Sequence, residues 1–180
     1  MESDRRFSAA DTLSIRRAEP DDLNAVMQLV ADCIRAMRQA GIEQWDDIYP
    51  DRATLLADAR ERTLHLAWLH EDRLVGCLVL NDYQNPEYAD VPWTIAGARI
   101  AVVHRLMVDP WFQGRGLARE LMGFAERLAT EGGCDVLRLD AFTANPRALR
   151  LYQGLGYHDA GSVTFRKGVF RCFEKRLGGA

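Results

Sequence analysis

The run Leu106-Met107-Val108-Asp109-Pro110-Trp111-Phe112-Gln113-Gly114-Arg115-Gly116-Leu117-Ala118 constrains this chain most. An apolar, β-rich segment ends at Val108, Asp109-Pro110 breaks it, and small residues lead into a helical pattern. Such a handover leaves backbone N–H groups unpaired at the positive end of a helix dipole, where a phosphate or pyrophosphate binds. Glycine suits the turn because a Cβ would hold the anion away from the backbone. Taken alone, the turn reads either as an anion site or as a tight strand-to-helix connection.

A second pattern favours the anion site. Asn145-Pro146-Arg147-Ala148-Leu149-Arg150-Leu151-Tyr152-Gln153-Gly154-Leu155-Gly156-Tyr157 reads as a loop, a Pro-initiated helix and a glycine stop. Together the two segments resemble the GNAT superfamily of acetyl-CoA-dependent N-acetyltransferases. Gln113–Ala118 matches that family's Q/R-x-x-G-x-G/A signature. Asn145, Ala148, Leu151-Tyr152 and Gly156-Tyr157 match its second motif, N-x-x-A-x-x-L-Y-x-x-x-G-F/Y. The resemblance runs from about Arg16 to Leu177, the first hundred residues fitting in outline.

Bulk properties are those of an ordinary soluble globular protein. The 180 residues are enough for one domain with a real core, here 12–180, after a polar stretch Met1–Asp11 that reads as a disordered tail. Hydrophobic content of 48% and charged content of 27% are ordinary for globular proteins. Net charge is −3, and of 23 basic residues only Lys167 and Lys175 are lysines. The arginines are scattered among acids, so nucleic acid is not an expected partner. No apolar run approaches the ~20 residues of a membrane span, and the N-terminus lacks a signal-peptide core. Cys33, Cys77, Cys134 and Cys172 lie far apart, mostly within apolar patterns, and read as buried thiols in a reducing cytoplasm rather than as metal ligands or disulfides.

Periodicity sets the elements. Leu13–Arg17 alternates as a short strand; Pro20-Asp21-Asp22 opens a helix carrying Leu23, Val26, Met27, Val30, Ile34 and Met37, and Gly41 stops it. Asp51 caps a second, shorter helix with Leu55, Leu56 and Ala59 inward. His65–His70 and Leu74–Leu80 form a hairpin around Glu71-Asp72, Asp82–Gly97 is a loop insertion, and Ala98–Val108 is a long central strand. Leu117, Leu121, Phe124, Ala125 and Leu128 mark an amphipathic helix ending at Gly132-Gly133. Val136–Phe142 is a near-continuous apolar strand, typical of a buried parallel neighbour. After the Asn145–Leu155 helix come strands Asp159–Phe165 and Val169–Arg176, joined near Arg166-Lys167-Gly168. The resemblance implies a mixed α/β, three-layer GNAT-like fold: a central twisted mixed sheet with a splayed strand pair and helices on both faces.

It also implies roles. Gln113, Gly114, Arg115, Gly116, Leu117 and Ala118 would hold the coenzyme's pyrophosphate, and Leu106, Met107 and Val108 would offer backbone groups to the pantetheine arm in the splayed gap. One freed N–H, of Leu106 or Met107, would face the thioester oxygen, a donor placed where negative charge develops. Asn145 and Ala148 would contact the coenzyme, although Asn145 equally suits a helix cap. Tyr152 would contact the coenzyme and protonate the departing thiolate; the alternative is a half-buried aromatic on an amphipathic helix. The histone-acetylating branch has a glutamate on the central strand where this chain has Val102. Two residues later on the same face stands His104, where arylalkylamine acetyltransferases carry a histidine, so His104 is either a general base or a hydrogen-bonded core histidine.

The acceptor side falls to two loops. Trp45, Asp46 and Tyr49, with Glu43 and Asp47, would form a pocket for a cationic amine, unless Trp45 and Tyr49 merely pin the loop. The insertion adds Tyr83, Glu87, Tyr88, Asp90 and Trp93. The expected activity is direct acetyl transfer from acetyl-CoA, without a metal, to a small cationic amine. A protein or peptide N-terminus or lysine is the alternative acceptor, and a non-catalytic acyl-CoA-binding module is the alternative of another class. The reading leaves room for a homodimer.

Overall fold

The computed structural model describes residues 12–97 and 99–178. In chain order they form β1 (Leu13–Arg17), α1 (Leu23–Gln39), α2 (Arg52–Arg60), β2 (Leu64–Leu69), β3 (Arg73–Asn81), β4 (Ile100–Val108), α3 (Leu117–Glu131), β5 (Val136–Phe142), α4 (Pro146–Gly154), β6 (His158–Phe165) and β7 (Gly168–Arg176). The strands make one mixed seven-stranded sheet of order β1-β2-β3-β4-β5-β7-β6, with β4 and β5 parallel. Most expected boundaries agree to within a residue or two. The expected tail Met1–Asp11 and the strand start at Ala98 lie outside the described residues.

The chain clusters into two compact units. The first comprises the described residues up to Gly41, Trp45–Val79 and Arg105–Met122. Its helix α1 forms because Leu23, Val26, Val30, Cys33 and Ile34 recur at helical spacing and bury one stripe. Asp51 caps α2, its side chain accepting from the Thr54 N–H at 2.9 Å. The core of this unit gathers Leu55, Leu64, Leu66, Cys77, Val79 and Met107 with the buried stripe of α1. Gly76 on β3 permits its closest packing: a Cβ there would meet the Met107 carbonyl oxygen at 2.8 Å and Leu121 Cδ1 at 3.0 Å. The missing side chain lets the start of α3 lie close over β3, beside the end of β4.

The second unit comprises Ile42–Gln44, Leu80–His104 and the residues from Gly123 onward. Here β5 pairs with β7 along its whole length, from Val136↔Arg176 to Phe142↔Phe170. Its parallel ladder with β4 runs only from Ile100↔Val136 to Val102↔Arg138. The splayed strand pair expected from the family resemblance therefore opens after Val102 and Arg138. Segment 82–97 is less irregular than expected, with a 3₁₀ turn at Pro86–Asp90. The turn exists because Tyr88 is buried with Val91 against Val102, Phe142, Phe170 and Cys172.

Candidate active site

In the first unit the turn after β4 is built by its own side chains. The Asp109 carboxylate accepts from the Trp111 N–H at 2.8 Å, and the Asp109 N–H donates to the Val75 carbonyl at 2.9 Å. Gln113 donates to the Val108 carbonyl at 3.2 Å. Gly114 and Gly116 take φ of +80° and +94°, the left-handed region that costs a Cβ-bearing residue. The space a Cβ would enter at either glycine is open. The helical ladder starts when the Arg119 and Glu120 N–H groups donate to the Gly116 carbonyl at 2.9 and 3.1 Å. Ahead of it, the N–H groups of Gly114, Arg115, Gly116, Leu117 and Ala118 donate to no backbone carbonyl among the described residues. A row of free donors leading into the first turn of a 15-residue helix is what an anion needs. The Arg115 guanidinium lies over the Phe112 ring at 5.2 Å, and Arg73 lies over the same ring at 4.5 Å.

Just upstream, β4 leaves its regular path at Arg105, whose φ is +50°. Strain at a non-glycine residue persists only where its surroundings hold it. The Arg105 guanidinium donates to Asp58 Oδ1 and to the Tyr49 hydroxyl, both at 2.7 Å. Asp58 sits on the inner face of α2 and is 6% exposed; burial lifts its proton affinity and the guanidinium opposes that. Neither residue was a sequence candidate. The available signal was an acid three residues from Leu55, on the buried face of α2.

This cluster changes the reading of the acceptor loop. Trp45 belongs to the core of the first unit. Asp46 Oδ1 accepts from the Ile48 and Tyr49 N–H groups at 3.0 and 3.3 Å and so shapes the loop. Tyr49 is half-exposed, but its hydroxyl and ring face already meet Arg105, the latter at 5.8 Å. Asp47 projects outward, 3.7 Å from Arg38. A cleft of about 600 Å³ runs beside α1 and this loop, lined by Arg35, Arg38 and Arg52 and by Asp46, Asp47 and Asp51. The two signs are balanced along its walls.

In the second unit Asn145 is occupied as a cap. Its Oδ1 accepts from the Ala148 N–H at 3.2 Å, and its Nδ2 donates to Gln44 Oε1 at 3.1 Å. Tyr152 is 6% exposed, its ring against Tyr157 and Phe173 at 6.0 and 5.8 Å. Burial, with the negative charge of Asp140, pushes its phenol above the ordinary value. It stays protonated at neutral pH, as a general acid must.

His104 Nε2 lies 3.1 Å from Asn81 Oδ1 and 3.0 Å from the Tyr83 carbonyl oxygen. Asn81 Oδ1 also accepts from the Tyr83 N–H at 3.1 Å, which fixes the oxygen end of that amide. Between two acceptors Nε2 carries the hydrogen. Beyond it, polar contacts fasten segment 82–97 to β5 and β7. Arg138 donates to Gln84 at 2.7 Å and lies 4.1 Å from the Trp93 ring centroid. Glu174 Oε1 accepts from the Thr94 N–H, the Thr94 hydroxyl and the Ile95 N–H at 2.7, 2.8 and 3.0 Å. The Tyr88 hydroxyl donates to Asp140 Oδ2 at 2.6 Å. Asp140 was not a sequence candidate; its signal was a second charge, with Arg138, inside an otherwise apolar strand.

With this geometry established, comparison settles the family. The acetyltransferase (GNAT) family profile matches residues 24–157. This chain belongs to the GNAT acetyltransferase family. It is an acyltransferase by that membership. Among curated GNAT relatives, an aminoglycoside N(6')-acetyltransferase type 1 from Salmonella enteritidis is 25% identical over 145 residues, 73% of this chain and 95% of that one. A GNAT acetyltransferase structure from Streptococcus agalactiae superposes with a TM-score of 0.81 at 23% identity, covering 93% of this chain and 96% of that one. The PaiA N-acetyltransferase of Thermoplasma acidophilum, solved in complex with coenzyme A, gives a TM-score of 0.71 at 16% identity over 92% of this chain and 99% of its own.

Proposed function

We propose that this GNAT enzyme transfers the acetyl group of acetyl-CoA to a primary amine by direct attack in a ternary complex. The observation that carries the reading is the row of unengaged N–H groups from Gly114 to Ala118 at the start of α3. They bind the coenzyme's pyrophosphate, with Gln113 shaping the turn and Arg115 adding charge. Leu106, Met107 and Val108 offer backbone groups to the pantetheine arm. Asn145, while capping α4, reaches the coenzyme with the second N–H of its amide, the first donating to Gln44. The Tyr152 hydroxyl protonates the departing sulfur, and His104 is one candidate for taking a proton from the amine, directly or through a water.

The acceptor in this reading is a small cationic amine. Support comes from the outward carboxylate of Asp47, from Asp46 in the same cleft, and from the aminoglycoside-modifying relative. Tyr49 contributes as a wall held by Arg105 rather than as an empty aromatic face. A reducing, cytoplasmic setting is part of the reading, supported by the free thiols Cys33, Cys77, Cys134 and Cys172.

Replacing Asp46 and Asp47 together by Asn tests the electrostatic part. The KM for a cationic amine should rise several-fold, while that for acetyl-CoA stays constant. A panel in which only neutral or anionic amines are acetylated contradicts it.

A further inference from the structure

We propose that Asp140 is the group that takes the proton of the attacking amine: its carboxylate stands on β5 beside the opened β4–β5 ladder, fastened on one oxygen by Tyr88. The assignment rests on the amine-acetylating reading above. It begins with register. The last parallel pair is Val102↔Arg138, and one further step along the same face of each strand reaches His104 and Asp140. That face is the one covered by segment 82–97, one of the two loops expected to line the acceptor site.

The surroundings of Asp140 are those of a working base. Its Oδ2 accepts the 2.6 Å hydrogen bond of Tyr88. Its Oδ1 has no hydrogen bond among the described residues, yet it is not among the sealed atoms, unlike Asp58 Oδ2 and Glu174 Oε2. Asp140 is half-buried. Cys172 is its ladder partner on β7, and Tyr152 contributes from α4. Arg138, two residues back, is committed to Gln84, to the Trp93 ring and to the 3.8 Å ion pair with Glu174. Burial lifts the Asp140 carboxyl to about 6, with the Tyr88 hydrogen bond pulling against it. A carboxylate with that proton affinity is ionised at pH 7 and accepts a proton far more readily than an exposed one.

The protons balance. An alkylammonium loses two on becoming an amide. The first passes to the Asp140 carboxylate, which returns it to solvent, and the freed nitrogen forms the C–N bond as the C–S bond breaks. The sulfur takes its proton from the Tyr152 hydroxyl, and the nitrogen's second proton replaces the one Tyr152 gave up.

The test is the pH dependence of kcat/KM for acetylation of a primary amine, followed by thiol release. Wild-type activity should fall as pH drops through about 6, where Asp140 protonates. Asp140→Asn should lower kcat/KM by about 100-fold or more and abolish that acidic limb, with acetyl-CoA affinity by calorimetry within twofold of wild type. Tyr88→Phe removes the bond that holds the carboxyl down, so the limb should move to higher pH by about one unit. A limb unchanged in both variants, or one lost in His104→Gln but kept in Asp140→Asn, overturns the assignment alone. A wild-type enzyme that releases no thiol with any amine contradicts the function and this assignment together.

Discussion

At the scale of single residues, two features matter most and only one shows in a one-dimensional reading. Gly114 and Gly116 stand in a motif and take the left-handed conformation that the motif requires. Gly116→Ala meets open space, so its direct cost is the conformational one, about 1 kcal/mol. It should weaken acetyl-CoA binding about tenfold or more by calorimetry, because it changes the path of the donor row. Gly41→Ala carries the same kind of penalty, at φ +74° in open space, and should leave that affinity unchanged. Equal losses in both variants would assign the effect to stability alone. Arg105 is the opposite case. Nothing in an arginine within a strand announces φ of +50° or a partner 47 residues away in Asp58. Arg105→Met leaves Asp58 buried and unpaired and should cost about 3 kcal/mol in urea unfolding. Adding Asp58→Asn should recover much of that loss; strictly additive losses would show that the pair is not coupled.

Asp140 also links catalysis to stability. Its carboxyl binds protons more tightly folded, at about 6, than unfolded, at ~3.9. The protonated form therefore favours the fold: the contribution is complete below the unfolded value and is lost as pH rises through about 6. Asp140→Asn, which cannot ionise, should be more stable than wild type at pH 8 by roughly 1–3 kcal/mol, with the gap closing toward pH 4. A gap that widens on acidification would contradict the sign.

At the scale of elements, regular structure was the legible part. Leu13–Arg17 and Val136–Phe142 are strands at their expected bounds, and Asp51 opens α2 as a cap. Alternation, helical spacing and capping act over a few residues and leave local traces. Contacts across long sequence separations leave none, which is why the covered face of segment 82–97 and the Arg105 cluster were not legible. Asn145 lies between the two cases: both its readings were available, and here the side chain caps α4. Gly76 shows how an element can depend on an atom that is missing. Gly76→Ala pushes a methyl into the Met107 carbonyl and Leu121 and should lower stability by about 1–3 kcal/mol in thermal or urea unfolding. Wild-type stability in that variant would mean that α3 does not depend on close approach to β3.

At the scale of the whole molecule, ligand binding should appear as stability. A coenzyme that binds only the folded chain contributes about 2.7 kcal/mol at a concentration 100 times its Kd, so acetyl-CoA should raise Tm by roughly 5–10 °C. In Gly116→Ala the same concentration should give a clearly smaller shift. None of these measurements shows acetyl transfer itself. That is tested by mixing wild-type enzyme with acetyl-CoA and a panel of primary amines, then following free thiol, product mass and protein mass together. Transfer in a ternary complex predicts thiol and N-acetylated amine in equal amounts, with the protein's own mass unchanged. Absence of amine-dependent thiol release, or acetyl retained on the protein as a kinetically competent intermediate, would contradict it.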